Sequence, residues 1–193
     1  LWYDAMTHAP DEKPKFKARL AYATSQDGIH WEKPDLGLYE FEGSKKNNIL
    51  GQFSWIYGSV FKDPTGPDER RYKITYISSP AGKSGVGLAW ARDGLRWTPS
   101  PRGNVMDHIT DSADVMFWDD RLGKYVGYFR HNNRAPEAKG IPREVWRAET
   151  DRIEDWPKPT LNFRHDPAVD GPGTDFYTNG VIKYPWAYHA YFM

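Results

Sequence analysis

Three aspartates stand where short apolar runs begin. Asp111 and Asp114 lie in Thr110-Asp111-Ser112-Ala113-Asp114-Val115-Met116-Phe117-Trp118, and Asp175 lies in Thr174-Asp175-Phe176-Tyr177-Thr178-Asn179-Gly180-Val181. Two carboxyl groups that face each other can divide a hydrolytic task. One gives a proton while the other, ionised, acts as base, nucleophile or electrostatic stabiliser. The same acids could instead cap strands or hold a central cation. Tyr57, His108, Tyr177 and Asn179 are the neighbours expected around them, and Arg130-His131 ends another apolar run with the polar character of a ligand-binding loop. His108, three residues before Asp111, could support that carboxyl or a metal. Other chemistries lack their residues. The chain has no cysteine, and its six histidines show no His-x-x-x-His spacing or other metal-binding cluster, so no metal site is expected from them. No Gly-rich phosphate loop and no Gly-x-Ser-x-Gly elbow occurs, and no organic cofactor is implied.

The elements that must position these acids are short strands in a recurring order. Leu20-Ala21-Tyr22-Ala23 leads through Ser25-Gln26-Asp27-Gly28 to Trp31, and Leu88-Ala89-Trp90-Ala91 leads through Asp93-Gly94 to Trp97. A looser copy runs from Val145 through Asp151 to Trp156. Between these turns, Gly58–Asp63, Asp114–Asp120 and Asn179–Tyr184 are apolar runs. Each is followed by a polar turn and an aromatic alternating run, which is a hairpin signal. Calling these paired runs A and B, the run before each acidic turn C and the stretch after the tryptophan D, the chain reads B-C-D, A-B-C-D, A-B-C-D, A-B. Four antiparallel strands about every 60 residues is the pattern of a propeller blade. The expectation is an all-β partial β-propeller of about three blades in one domain, residues 1–193, with blade remnants near 1–54, 55–107, 108–174 and 175–193.

In Asp27-Gly28 and Asp93-Gly94 the glycine accepts the positive φ of a tight turn and the carboxylate can bond the turn's own N–H groups. These aspartates are therefore expected to be structural. Asp63, after an A run, is expected at the end away from the channel and to be structural too.

Composition narrows the partners. Lys plus Arg and Asp plus Glu number 26 each, a balance that argues against a polyanion-binding surface and hence against nucleic acid. No apolar run approaches the ~18 residues of a membrane span, and no basic-then-apolar leader opens the chain. Leu1-Trp2-Tyr3-Asp4-Ala5-Met6 reads as the inside of a strand, which suggests part of a longer chain. If a native N-terminus is missing, secretion or the periplasm is a better expectation than the cytoplasm.

The acidic turn is similar to the Asp-box of sialidases, Ser-x-Asp-x-Gly-x-x-Trp, but Ser25-Gln26-Asp27-Gly28-Ile29-His30-Trp31 lacks the residue between Asp and Gly. It more closely resembles the five-bladed propeller glycosidases, glycoside hydrolase families 32, 43 and their relatives. Longer stretches, Asp27 through Leu38 with Gly43-Ser44-Lys45 and Asn47-Asn48-Ile49-Leu50, and Phe117-Trp118-Asp119 through Val126, look like bacterial proteins described as glycosyl hydrolase family 32-like. The resemblance implies a propeller that hydrolyses O-glycosidic bonds of a carbohydrate with paired carboxylates. Asp111 or Asp114 would stand for the transition-state-stabilising aspartate, although the family's Arg-Asp-Pro is absent. Asp175 would stand for the general acid, where the family has glutamate. The family's Trp-Met-Asn-Asp-Pro-Asn-Gly nucleophile segment has no counterpart. Two rivals follow from the same residues. One is a non-catalytic carbohydrate-binding or scaffold propeller. The other is a sialidase-like hydrolase, which would need arginines, with Arg130 and Arg143 in place to grip an acidic sugar.

Overall fold

The computed structural model describes residues 1–8, 16–51, 58–111, 114–131 and 143–193. Thirteen strands occur among them, with no α-helix and two short 3-10 turns. β1 (Trp2–His8), β2 (Phe16–Tyr22) and β3 (Ile49–Gly51) form a three-stranded sheet, blade 1. Blade 2 is β4 (Val60–Lys62), β5 (Tyr72–Ser78), β6 (Gly85–Ala91) and β7 (Thr98–Met106). Blade 3 is β8 (Val115–Asp119), β9 (Lys124–His131), β10 (Glu144–Thr150) and β11 (Thr160–Phe163). β12 (Ile182–Lys183) and β13 (Tyr191–Phe192) form the last pair, blade 4. Neighbouring strands are antiparallel throughout, so blades 2 and 3 are consecutive four-stranded meanders. The chain is an all-β partial propeller.

The strand sequences explain why the blades stack. Successive residues of a strand point to opposite faces, and β6, buried at every position, is apolar on both. Val86, Leu88 and Trp90 meet Met116, Tyr125 and Phe129 of blade 3, with Trp156 in the same cluster. Ala89, one residue out of phase, joins Leu20 and Leu50 of blade 1 and Ile74 of blade 2. Val126, Tyr128 and Val145, on the other face of blade 3, pack with Val181 and Phe176 of the last segment. Each fully buried Leu, Val or Phe here contributes roughly 1.5–3 kcal/mol. Gly127 makes room in the first cluster, since a Cβ there would lie 2.4 Å from the Phe129 ring and 3.1 Å from Trp156.

The acidic turns are built as their residues require. Asp27 Oδ1 accepts the N–H groups of Ile29 and His30, both at 2.8 Å, and Asp93 Oδ1 accepts those of Leu95 and Arg96 at 2.9 and 2.8 Å. Gly28 and Gly94 sit at φ +75° and +73°. The His30 ring and these N–H groups hold the Asp27 carboxyl well below its ordinary range. The tryptophans that follow differ in surroundings. Trp97 packs on the blade 1 cluster and Trp156 is 7% exposed between blades 2 and 3, whereas Trp31 is 46% exposed. Trp97 and Trp156 each pack on the blade before their own, and no described blade precedes blade 1.

Asp63, just past β4, forms a buried junction. Its side chain is fully buried and meets the Lys73 ammonium at 2.9 Å, with Lys73 itself only 4% exposed. The Tyr125 hydroxyl, from blade 3, donates to Asp63 Oδ2 at 2.9 Å. Burial pushes the Asp63 carboxyl up. The Thr65 N–H, Lys73 and the hydroxyls of Thr65 and Tyr125 outweigh that and leave it below its ordinary value. Tyr125 is pushed up to about 12, by burial and by the carboxylate it faces.

Three outcomes follow. Asp93→Ala should lower the unfolding free energy by about 0.5–2 kcal/mol in a denaturant titration, as other lost capping bonds do. Tyr125→Phe, which strips a donor from a buried charge, should cost about 1.5–3 kcal/mol. Because the folded Asp63 has a depressed pKa, its contribution is present above the unfolded value of about 4 and is lost as pH falls through the folded one. Stability measured from pH 7 down to 3 should therefore decline less steeply in Asp63→Asn than in the parent.

Candidate functional site

Antiparallel pairing brings the leading ends of the A and C strands and the trailing ends of the B strands to one end of each blade. In blade 3 these are the residue before Val115, then Arg130 and His131 at the end of β9, and Glu144 at the start of β10, where Glu144 pairs with His131. The segment 175–181 ahead of β12 reaches the same end. Asp63 and the turns of Asp27 and Asp93 follow the trailing ends of A and C strands and lie at the opposite end.

Arg130 is the hub. It is 3% exposed, and its guanidinium donates to the Asp111 carboxylate, to the Asp111 carbonyl at 3.3 Å and to the Tyr177 carbonyl at 2.8 Å. The same guanidinium carbon lies 4.8 Å from the centre of the Tyr177 ring. Arg143 reaches that ring too, at 5.0 Å. It holds Asp175 with two parallel bonds, its backbone N–H to Oδ1 at 2.8 Å and its guanidinium to Oδ2 at 2.6 Å. A continuous chain results: Asp111, Arg130, Tyr177, Arg143, Asp175. Tyr177 is 63% exposed and presents its ring at the surface of this chain of charges.

Asp175 and Asp114 are shifted in opposite directions. The Arg143 N–H and guanidinium keep the Asp175 carboxyl below its ordinary pKa. These surroundings favour the ionised carboxylate, whereas a general acid must hold its proton until it is used. Asp114 is shifted the other way. Burial pushes its pKa well above the usual carboxylate range, against the Thr110 hydroxyl at 2.8 Å and the Arg130 N–H and charge. At 2% exposure it is enclosed behind Arg130.

His108 and His131 are both buried and stand on the blade 2–blade 3 side of this end. The His108 ring lies 3.2 Å from the Arg130 carbonyl through Nε2, and His131 stacks on Trp146 at 4.1 Å with planes 10° apart. The Trp146 indole donates to Glu144 at 2.9 Å, and Arg164 meets the other Glu144 oxygen at 3.1 Å. Asn179 is 4% exposed in the segment leading to β12. Tyr57 lies outside the described residues. Sequence reasoning missed Glu144 and Trp146. The leading end of a C strand carries the same positional signal as that of an A strand, and the spacing of two residues puts this acid and this indole on one face.

The arrangement offers carboxylate oxygens and guanidinium N–H groups beside an exposed aromatic face, which is the equipment to bind a polyhydroxylated ligand. Among the described residues no three His, Asp or Glu side chains gather as a metal site. Arg130 and Arg143 are each engaged by an aspartate, so the grip on an acidic sugar that a sialidase-like hydrolase needs would have to displace those partners.

No known protein family matches the chain, and no curated protein does. Solved structures match at low identity. An N-acetylgalactosamine deacetylase from F. plautii, in complex with blood group B trisaccharide, is 12% identical over 88% of this chain and 56% of its own, with a TM-score of 0.51. A glycosyl hydrolase from Bacteroides ovatus is 18% identical over 83% of this chain and 44% of its own, TM-score 0.48. The exo-inulinase from Aspergillus awamori is 19% identical over 73% and 31%, TM-score 0.47. This chain thus spans 31–56% of the length of these proteins. What it shares with the deacetylase at this identity is the fold.

Proposed function

We propose that the chain is part of a carbohydrate-active propeller of the glycosidase type, binding a saccharide over Tyr177 and acting on its O-glycosidic bond. The observation that carries this reading is the chain Asp111–Arg130–Tyr177–Arg143–Asp175, which sets an exposed aromatic ring between two carboxylate–guanidinium pairs. The trisaccharide held by the deacetylase of similar fold supports the choice of ligand class. The family 32/43 resemblance of the turns supports the choice of reaction.

In this reading Tyr177 stacks against the apolar face of a sugar ring while Asp111 and Asp175 accept its hydroxyls. Asp175, kept ionised by Arg143, serves as the charged member of the catalytic pair. It stabilises the positive charge that develops on the ring, or activates the attacking group. Asp114 is enclosed and accepts the Arg130 backbone N–H, so its part is to position Arg130. The proton donor would be a carboxyl other than Asp114 and Asp175, brought to the far side of the scissile bond. The rival of a non-catalytic binding propeller is favoured by one observation: both exposed-side carboxylates are already neutralised by arginine.

One experiment separates the two. The full-length protein is screened against plant, algal and microbial oligosaccharides for binding and for release of reducing sugar. The expected outcome is cleavage by the parent, loss of cleavage with retained binding in Asp175→Asn, and about two- to tenfold weaker binding in Tyr177→Ala. Binding without cleavage by the parent would establish the non-catalytic reading. Unchanged turnover in Asp175→Asn would remove that residue from the chemistry.

A further inference from the structure

At the end where Arg130 lies, three carboxylate side chains are each matched to one arginine, and the pairs differ in what the arginine has left over. The Arg130 side chain is 4% exposed, and its guanidinium is taken by Asp111 and two carbonyls. Arg143 gives its guanidinium to Asp175 and lies against the Tyr177 ring. Arg164 meets Glu144 at its Nε, 3.1 Å away, but its side chain is 59% exposed. Among the described residues nothing accepts a hydrogen bond from its two Nη groups. Glu144 is the fixed member of this pair. Its side chain is 4% exposed, and its other oxygen accepts the Trp146 indole, which is stacked on His131. A buried carboxylate needs a charge partner. Glu144 therefore holds the base of the Arg164 guanidinium and leaves the fork at its tip without a partner among those residues. That fork presents two parallel N–H groups, which match the oxygens of a carboxylate or a sulfate.

The loop that opens with Arg164 ties this fork to the Tyr177 platform. Glu144, Trp146 and Ala148 share the face of β10 that packs toward blade 2, while Arg143 lies with Val145 on the other, toward Phe176. Arg164 and Asp175, the two ends of the loop, are thus gripped by adjacent residues from opposite sides of β10. Phe163 and Phe176, just outside those ends, stack with ring centres 4.8 Å apart. The Phe176 N–H meets the Arg143 carbonyl at 3.2 Å, and His165 stands where its charge acts on Asp175. Arg164 therefore stands across the start of β10 from Tyr177, at the same end of the blade. We propose that the Arg164 fork binds an anionic substituent of a saccharide, a uronate carboxylate or a sulfate ester, adjoining the sugar ring that lies on Tyr177. The inference rests on the reading of Tyr177 as the saccharide platform and names the ligand class within it. An acidic sugar held this way leaves Asp111 on Arg130 and Asp175 on Arg143, which a grip by those two arginines would not.

The test measures the affinity of the full-length protein, at constant ionic strength, for oligosaccharides in matched acidic and neutral forms. Uronate-containing chains are compared before and after carboxyl reduction, and sulfated chains before and after desulfation. At least one acidic form should bind about tenfold or more tighter than its neutral counterpart. The pair that shows the difference identifies the group as carboxylate or sulfate. Arg164→Gln should abolish the preference. Because that change also strips Glu144 of its partner, Arg164→Lys is measured beside it. Lysine keeps a charge for Glu144 without the planar fork, so this variant should hold the parent's thermal midpoint and lose most of the preference. Tyr177→Ala should weaken the acidic and neutral forms alike. Equal affinity for the two members of both pairs, or a preference undiminished in both Arg164 variants, would overturn the proposal while leaving Tyr177 as the platform. Absence of binding to every oligosaccharide would remove the platform reading and this inference with it.

Discussion

A sheet that is apolar on both faces is stable only between two others, and this constraint governs the whole molecule. In β6 every residue is buried, so blade 2 must have a neighbour on each side. The alternation of the strands supplies it, with Val86, Leu88 and Trp90 facing blade 3 and Ala89 facing blade 1. The small residue on one side and the large ones on the other let successive blades nest, large against small. The same division recurs in β9, where Tyr125 and Phe129 turn to blade 2 while Val126 and Tyr128 turn to the segment that leads into β12.

Because the faces are given over to packing, polar chemistry is left to the ends of the strands. At the end that gathers Asp111, Arg130 and Asp175, a buried guanidinium is tolerable only with partners for its charge and its N–H groups. Arg130 finds them in two different segments, the Asp111 carboxylate and the Tyr177 carbonyl. A single buried cation thereby ties the loop before β8 to the loop before β12. Arg143 repeats the device one strand further out, with Asp175. Tyr177 owes its position to both arginines, and its exposed ring is the surface they jointly create.

How much of this could be read from the residues depends on range. The strands and the Asp-Gly turns are local: Asp93 bonds N–H groups two and three residues away, and the glycine that follows needs only its own φ. The leading-end rule, also local, picked out Asp111, Asp114 and Asp175. The partners of those acids were not legible, because they are brought from afar. Arg143 lies 32 residues from Asp175, and Arg130 lies 19 from Asp111. The junctions of Asp63 with Tyr125 and of Asp119 with Tyr191 span 62 and 72 residues and were invisible for the same reason. Trp31 shows the limit from the other side, since its turn forms as its sequence dictates while its burial depends on a neighbouring sheet.

The corresponding positions of successive blades say which residues can react. Counting back from the A-strand residues that face Tyr72, Tyr125 and Tyr191, the position that opens the strand is Gly58 in blade 2, Asp114 in blade 3 and Asn179 in blade 4. A Cβ on Gly58 would lie 2.0 Å from the Thr75 carbonyl oxygen, and Asp114 and Asn179 are 2% and 4% exposed. This place is enclosed in all three blades, so a side chain there is held by its surroundings. The loop residues near it, Asp111 in one segment and Asp175 and Tyr177 in the other, are less enclosed. Blade packing thus fixes the strand ends and leaves the loops that approach them free to vary, which is why a shared fold does not by itself carry a shared site.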